Sequence, residues 1–130
     1  MQNEQLYFRE LNENDVHRLF EIYSNVDAMR YRESKPMYTI KDAVTMVERD
    51  QIVKKNGYEF RFAIILKETK ELIGTIMYQP VANKAIIGYS IDEKFWNKGF
   101  GSAVVKILVD YLKTQQYDLL EAWVRKENLA

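Results

Sequence analysis

The segment Ile87-Gly88-Tyr89-Ser90-Ile91-Asp92-Glu93-Lys94-Phe95-Trp96-Asn97-Lys98-Gly99-Phe100-Gly101-Ser102-Ala103 gathers residue types whose order points to one kind of chemistry. A strand-like run enters a glycine turn, and the turn opens a helical pattern. Successive N–H groups at a helix start have no intrahelical acceptor and stand at the positive end of the helix dipole, so together they can cradle phosphate oxygens. Gly99 and Gly101 let the backbone approach closely. Lys98 adds a mobile positive charge and Ser102 a hydroxyl donor in the first helical turn. Two commoner phosphate motifs do not fit: Ala103 and Val104 follow where G-x-G-x-x-G needs its x-x-G, and no G-x-x-x-x-G-K-[ST] occurs. A dinucleotide fold and a nucleotide triphosphatase lose support.

Other chemistries are closed by composition. Cysteine is absent, which removes thiolate nucleophiles, thiolate zinc sites, iron–sulfur clusters and disulfides, and the lone His17 cannot form a histidine metal site. No metal is expected. His17 has no carboxylate or nucleophile beside it in sequence and reads as a helix-surface residue. Nineteen basic and nineteen acidic residues cancel, and no Lys/Arg cluster exceeds pairs such as Lys54-Lys55, so a nucleic-acid partner is not expected. The opening MQNEQLYFRE is no signal peptide, and no apolar run approaches the roughly 18 residues of a membrane span. The expectation is a cytoplasmic protein without a membrane partner.

The elements that must position the glycine turn follow from periodicity. With 130 residues, 47% apolar and two prolines, the chain reads as one domain over residues 1–130 with one core. Leu6-Tyr7-Phe8 reads as a strand, and Asn12 with Asp15 as a helix cap ahead of Val16, Leu19, Phe20 and Tyr23 on one face. From Asn25 to Tyr38 the periodicity blurs into a short helix or irregular lid, with Pro36 biasing Lys35 towards an extended shape. Thr39 with Asp42 caps a helix whose stripe is Ile40, Ala43, Val44 and Val47, stopped at Asn56-Gly57. Phe60 to Leu66, Leu72 to Tyr78 and Ala85 to Ile91 read as an antiparallel meander, with turns at Lys67 to Glu71 and Pro80 to Lys84. A helix from about Gly101 to Lys113, with Val105, Leu108, Val109 and Leu112 inward, and a strand from Leu119 to Val124 complete a right-handed crossover.

On these residues the chain resembles the GNAT acetyltransferase superfamily, in its RimJ/RimL-like branch. Trp96-Asn97-Lys98-Gly99-Phe100-Gly101 is similar to that branch's acetyl-CoA pyrophosphate loop, with Trp96 where the wider superfamily has Gln or Arg and Asn97 in place of a frequent glycine. Leu6 to Asp15, Leu72-Ile73-Gly74-Thr75-Ile76 and Leu120-Glu121-Ala122 with Asn128 match the family's other elements in order, so the resemblance covers the whole chain. It implies an α/β (α+β) fold: a mixed sheet with an antiparallel meander and a βαβ acetyl-CoA-binding unit.

The resemblance further implies an N-acetyltransferase with acetyl-CoA as cosubstrate. Splayed strands, Ala85 to Ile91 and Leu119 to Val124, would admit the pantetheine arm, and the backbone of Tyr89, Ser90 and Ile91 would pair with it and offer an N–H to the thioester oxygen. Trp96, Asn97, Lys98, Gly99, Phe100, Gly101 and Ser102 would hold the pyrophosphate, and Asn128 would reach the arm. Trp96 and Phe95 read as a wedge of the loop against the core. Ser90, Tyr89 and Glu121 are the candidates for acid or base, with Ser90 and Tyr89 on opposite faces by strand alternation. Met29 to Met37, with Tyr31 and Arg32, would border the acceptor amine, either a small molecule or a protein N-terminal α-amine. The family continues after Asn128 with a helix and two strands, which this chain lacks. A free edge at Leu119 to Val124 is therefore expected, covered in a homodimer or belonging to a longer protein. The alternative reading is a non-catalytic module that binds acyl-CoA or a partner.

Overall fold

The computed structural model describes residues 1–24, 36–115 and 117 together with the strand path of 119–122. One sheet carries five strands in the order β1 (Leu6–Glu10), β2 (Phe60–Leu66), β3 (Glu71–Val81), β4 (Lys84–Ile91) and β5 (Leu119–Ala122). The first four pair antiparallel, and β5 joins β4 in parallel. A parallel neighbour requires a crossover, and the helix after the glycine turn supplies it. The meander and the crossover unit are both present, as periodicity predicts.

The hairpin between β3 and β4 is tighter than expected. Pro80 lies within β3 opposite Ala85, and Val81 pairs with Lys84, so only Ala82 and Asn83 remain for the turn, with Ala82 at φ 57°. A proline lacks a ladder donor, yet it is tolerated near a strand end. Further along, the β2–β3 register shifts between Ile64 and Ile65, which face Gly74 and Leu72. There β3 comes against β4: a Cβ on Gly74 would lie 2.1 Å from the Ser90 carbonyl oxygen and 2.9 Å from Ile91 Cα. Only glycine fits.

Helices α1 (Val16–Tyr23) and α2 (Ile40–Lys55) cover one face of the sheet, and α3 (Phe100–Thr114) covers the other. Before α1, the Asn12 N–H donates to Asp15 at 2.9 Å and Asn12 Oδ1 accepts from the Asn14 N–H at 2.8 Å. Thr39 and Asp42 form the matching box for α2, which stops at Asn56 and Gly57, the latter at φ 73°. The inward face of α2 differs from the predicted stripe. It is Ala43, Val47 and Asp50, whereas Ile40 and Val44 are 40% and 36% exposed. Asp50 takes an inward position because Arg61 of β2 meets it there, with its Nε 3.4 Å from Asp50 Oδ1. On α3 the buried stripe is Val104, Ile107, Leu108 and Leu112 with Phe100, displaced by about one residue from the predicted face, and Val105 and Val109 sit at its flank.

Two apolar layers follow. Ala85, Ile87, Tyr89 and Ile91 of β4 pack with α3, while Ala63, Ile65 and Leu72 pack with Leu19, Ile22, Tyr23, Ala43 and Val47. Each buried Leu, Ile or Val among them contributes about 1.5–3 kcal/mol by leaving water.

Candidate functional site

The site grows out of the end of β4. Its described pairing with β5 covers Lys84 to Ile87, the last pair being Ile87 with Ala122, and Gly88, Tyr89, Ser90 and Ile91 extend beyond it while still pairing with β3. Strand alternation sends the side chains apart, as predicted. Tyr89 and Ile91 enter the core under α3, and burial pushes the Tyr89 phenol above its ordinary pKa. Ser90, also buried, stands opposite Thr75 on the α1 side of the sheet.

After Ile91 the chain is pinned before it turns. Asp92 is buried; its N–H donates to the Ile73 carbonyl at 2.7 Å, and its Oδ1 accepts from the Lys94 N–H at 3.3 Å. Arg18 of α1 reaches across to it: Nη2 donates to Asp92 Oδ2 at 2.6 Å and Nε to the Leu72 carbonyl at 2.8 Å. Trp96 then folds back, its indole N–H donating to the Ile91 carbonyl at 2.7 Å, while Phe95 lies 6.2 Å from Phe100. Both rings pack on the core as the expected wedge.

The turn itself is left-handed at two positions, Asn97 at φ 62° and Gly99 at φ 80°. Gly99 is the N-cap of α3 and its carbonyl accepts the first bond, from the Ala103 N–H at 3.2 Å. The amides of Phe100, Gly101 and Ser102 therefore precede the helical ladder, and no side chain caps them. Asn97, Lys98, Gly99 and Ser102 are exposed, and a Cβ on Gly99 would meet nothing within 4 Å. What Gly99 supplies is the conformation, with open space in front of the donors. Phe100 and Gly101 are buried while Ser102 is exposed, and these amides at a helix start, without helical acceptors and with exposed Lys98 and the Ser102 hydroxyl beside them, fit a pyrophosphate.

The remaining predicted residues are placed as follows. Glu121 lies opposite Ile86 in the β4–β5 pair, and His17 is exposed on α1. Tyr31, Arg32 and Asn128 lie outside the described residues. Residues that sequence reasoning missed are Arg18 and Asp92, which fix the strand-to-turn exit, and Gly74, which sets the approach of β3 to β4. Of these only Gly74, an isolated glycine in a strand, carries a local signal for a close backbone approach. No described helix is long and apolar enough to cross a membrane.

A mixed sheet whose parallel pair is joined through a glycine turn and a helix with uncapped amides defines an α+β class built on a crossover unit. The chain belongs to the GNAT acetyltransferase family, whose acetyltransferase domain it matches over residues 5–130. It is 32% identical over 114 residues to the uncharacterized N-acetyltransferase YoaA of Bacillus subtilis, an alignment that covers 85% of this chain and 64% of that protein. The chain thus spans just under two thirds of this relative's length. The fold resembles the structure of a putative ribosomal-protein-serine acetyltransferase from Vibrio cholerae, with TM-score 0.84, 15% identity, and 98% of this chain and 74% of that one covered. It also resembles the spermidine N-acetyltransferase of Vibrio cholerae in complex with CoA and spermine, with TM-score 0.70, 23% identity, and coverage of 86% and 66%.

Proposed function

We propose that this chain binds acetyl-CoA at the turn from Trp96 to Ser102 and transfers its acetyl group to a primary amine at the open end of β4. The observation that carries this reading is the run of amides without helical acceptors at the start of α3, set by left-handed Asn97 and Gly99 shortly after the end of β4 that lies beyond its described pairing with β5. The phosphates would lie on the amides of Gly99, Phe100, Gly101 and Ser102, with Lys98 contributing charge alone. The main chain of Tyr89, Ser90 and Ile91 would pair with the pantetheine arm and aim an N–H at the thioester oxygen, where negative charge develops. Acetyl-CoA supplies an activated acyl carbon with a thiolate leaving group. The amine nitrogen forms the new C–N bond as the C–S bond breaks, and the surplus proton on nitrogen balances the departing thiolate.

Support for an amine acceptor comes from the relatives, whose names speak of a ribosomal-protein serine and of spermidine. We favour a protein N-terminal α-amine, since such a group titrates near ~7.7–8.0 against ~10.4 for lysine and needs less help from a base. Ser90, Glu121 and Tyr89 remain the candidates for acid and base, with Asn128, Tyr31 and Arg32 proposed as contacts to the pantetheine arm and acceptor. Release of free thiol from acetyl-CoA, measured with a panel of N-terminal peptides and polyamines, tests the reading. Acceptor-dependent release, with one acetyl group added to the amine, is the expected result. No acceptor-dependent release with any amine of the panel would contradict it.

A further inference from the structure

On the α1 face of the sheet a chain of polar groups runs towards β4. Asp50 of α2 and Glu59, just ahead of β2, are both buried and both face the Arg61 guanidinium, whose Nε lies 3.4 Å from Asp50 Oδ1 and whose Nη2 lies 3.6 Å from Glu59 Oε2. Glu59 is held in turn by the Gln79 amide at 2.9 Å and by Arg49 at 3.2 Å. Arg61 Nη1 donates to Thr75 Oγ1 at 3.0 Å, and Thr75 Oγ1 lies 2.6 Å from the Tyr23 hydroxyl. Thr75 is fully buried and directly opposite Ser90.

These contacts fix a direction. A guanidinium has protons to donate and no acceptor, so Thr75 Oγ1 must receive the Arg61 bond. The Thr75 and Tyr23 hydroxyls share one short hydrogen bond, in which either can be the donor, so the chain runs from Arg61 through Thr75 to Tyr23. Paired side chains across two strands lie within about 5 Å of one another, so the Thr75 link of this chain borders Ser90 at the end of β4.

We infer that Arg61, Thr75 and Tyr23 form a positioning device for the acetyl-transfer step: the two carboxylates hold Arg61, Arg61 sets the Thr75 hydroxyl rotor, and Thr75 sets Tyr23 beside the end of β4. The inference rests on the proposed transfer at that end of the strand. The three residues act through the geometry of the acceptor side and leave the phosphate cradle alone.

Steady-state transfer and acetyl-CoA titration on Thr75→Val, Tyr23→Phe, the double variant and Thr75→Ser test it. Thr75→Val keeps shape and Tyr23→Phe keeps the ring, so each deletes one hydroxyl only. The expected result is a fall of about tenfold in kcat for each single variant, no further fall in the double variant, acetyl-CoA affinity within about twofold of wild type, and recovery with Thr75→Ser. Unchanged kcat in Thr75→Val, additive losses in the double variant, or parallel loss of affinity and kcat that Thr75→Ser does not restore would each overturn the inference while wild-type transfer stands. A wild-type chain that transfers to no amine would overturn the function and this inference together.

Discussion

Asp50 and Glu59 share one guanidinium that lowers both pKa values, yet their net shifts run in opposite directions. Burial raises the Asp50 pKa above its ordinary value, and the charge of Arg61 offsets this only in part, with Glu59 adding to the rise. Burial also opposes ionisation of Glu59, but the Gln79 amide, Arg61 and Arg49 outweigh it and hold that carboxyl below its usual range. The signs separate on titration. Asp50 binds its proton more tightly folded than unfolded, so its ionised form is a cost to the fold above the raised pKa, relieved as pH falls through that value. Glu59 contributes stability above its ordinary pKa and loses it as pH falls through the lowered one. Asp50→Asn removes the first effect and keeps the second, while Glu59 still holds Arg61. Denaturant unfolding should show the variant at least as stable as wild type at pH 7, with the advantage shrinking as pH falls through the window just above ordinary carboxylate values. A variant markedly less stable at pH 7 would show that the Asp50 charge is needed by Arg61.

The end of β4 is held in place by contacts distant in sequence. Arg18 on α1 spans to Leu72 on β3 and to Asp92 at the strand exit, so one side chain joins a helix, a strand and the start of the cofactor turn. Arg18→Leu leaves buried Asp92 without its guanidinium, and a destabilisation of about 2 kcal/mol is expected, discounted for the partial exposure of the pair. Acetyl-CoA affinity should fall as well, because the turn loses its anchor. Unfolding curves and titration of the same variant check both, and intact affinity would mean that Trp96 and Phe95 hold the turn alone. The caps at Asn12 and Thr39 and the meander were legible in the sequence because each depends on neighbours a few residues apart. Arg18 with Asp92, and Gly74 with the Ser90 carbonyl, were not, since no period links residues that meet only after folding. Of the apolar stripe read for α2, Ala43 and Val47 do face inward, but Ile40 and Val44 are exposed and the inward row continues instead to Asp50, a buried carboxylate whose arginine partner is distant in sequence.

At the scale of the molecule, the two apolar layers give β4 its role. One layer carries α3 and therefore the amides proposed to hold phosphate; the other carries α1, α2 and the Arg61 chain; and Tyr89 and Ser90 point one into each. The turn after β4 thus sits between the two layers, where the proposed cofactor and acceptor sides would meet, and its glycine was legible because a left-handed N-cap favours glycine. Coenzyme binding should couple to the stability of the whole fold: ligand at one hundred times its Kd adds about 2.7 kcal/mol, which for a chain of this size raises Tm by roughly 10 °C. The most direct test of the account is calorimetric titration of acetyl-CoA into the wild-type chain and into Lys98→Ala and Gly99→Glu. Saturable one-to-one binding to wild type is expected, with a loss below about 3 kcal/mol in Lys98→Ala because backbone amides would carry the phosphates, and no binding in Gly99→Glu despite a folded chain. No binding to folded wild type at millimolar acetyl-CoA, or equal binding by Gly99→Glu, would contradict it.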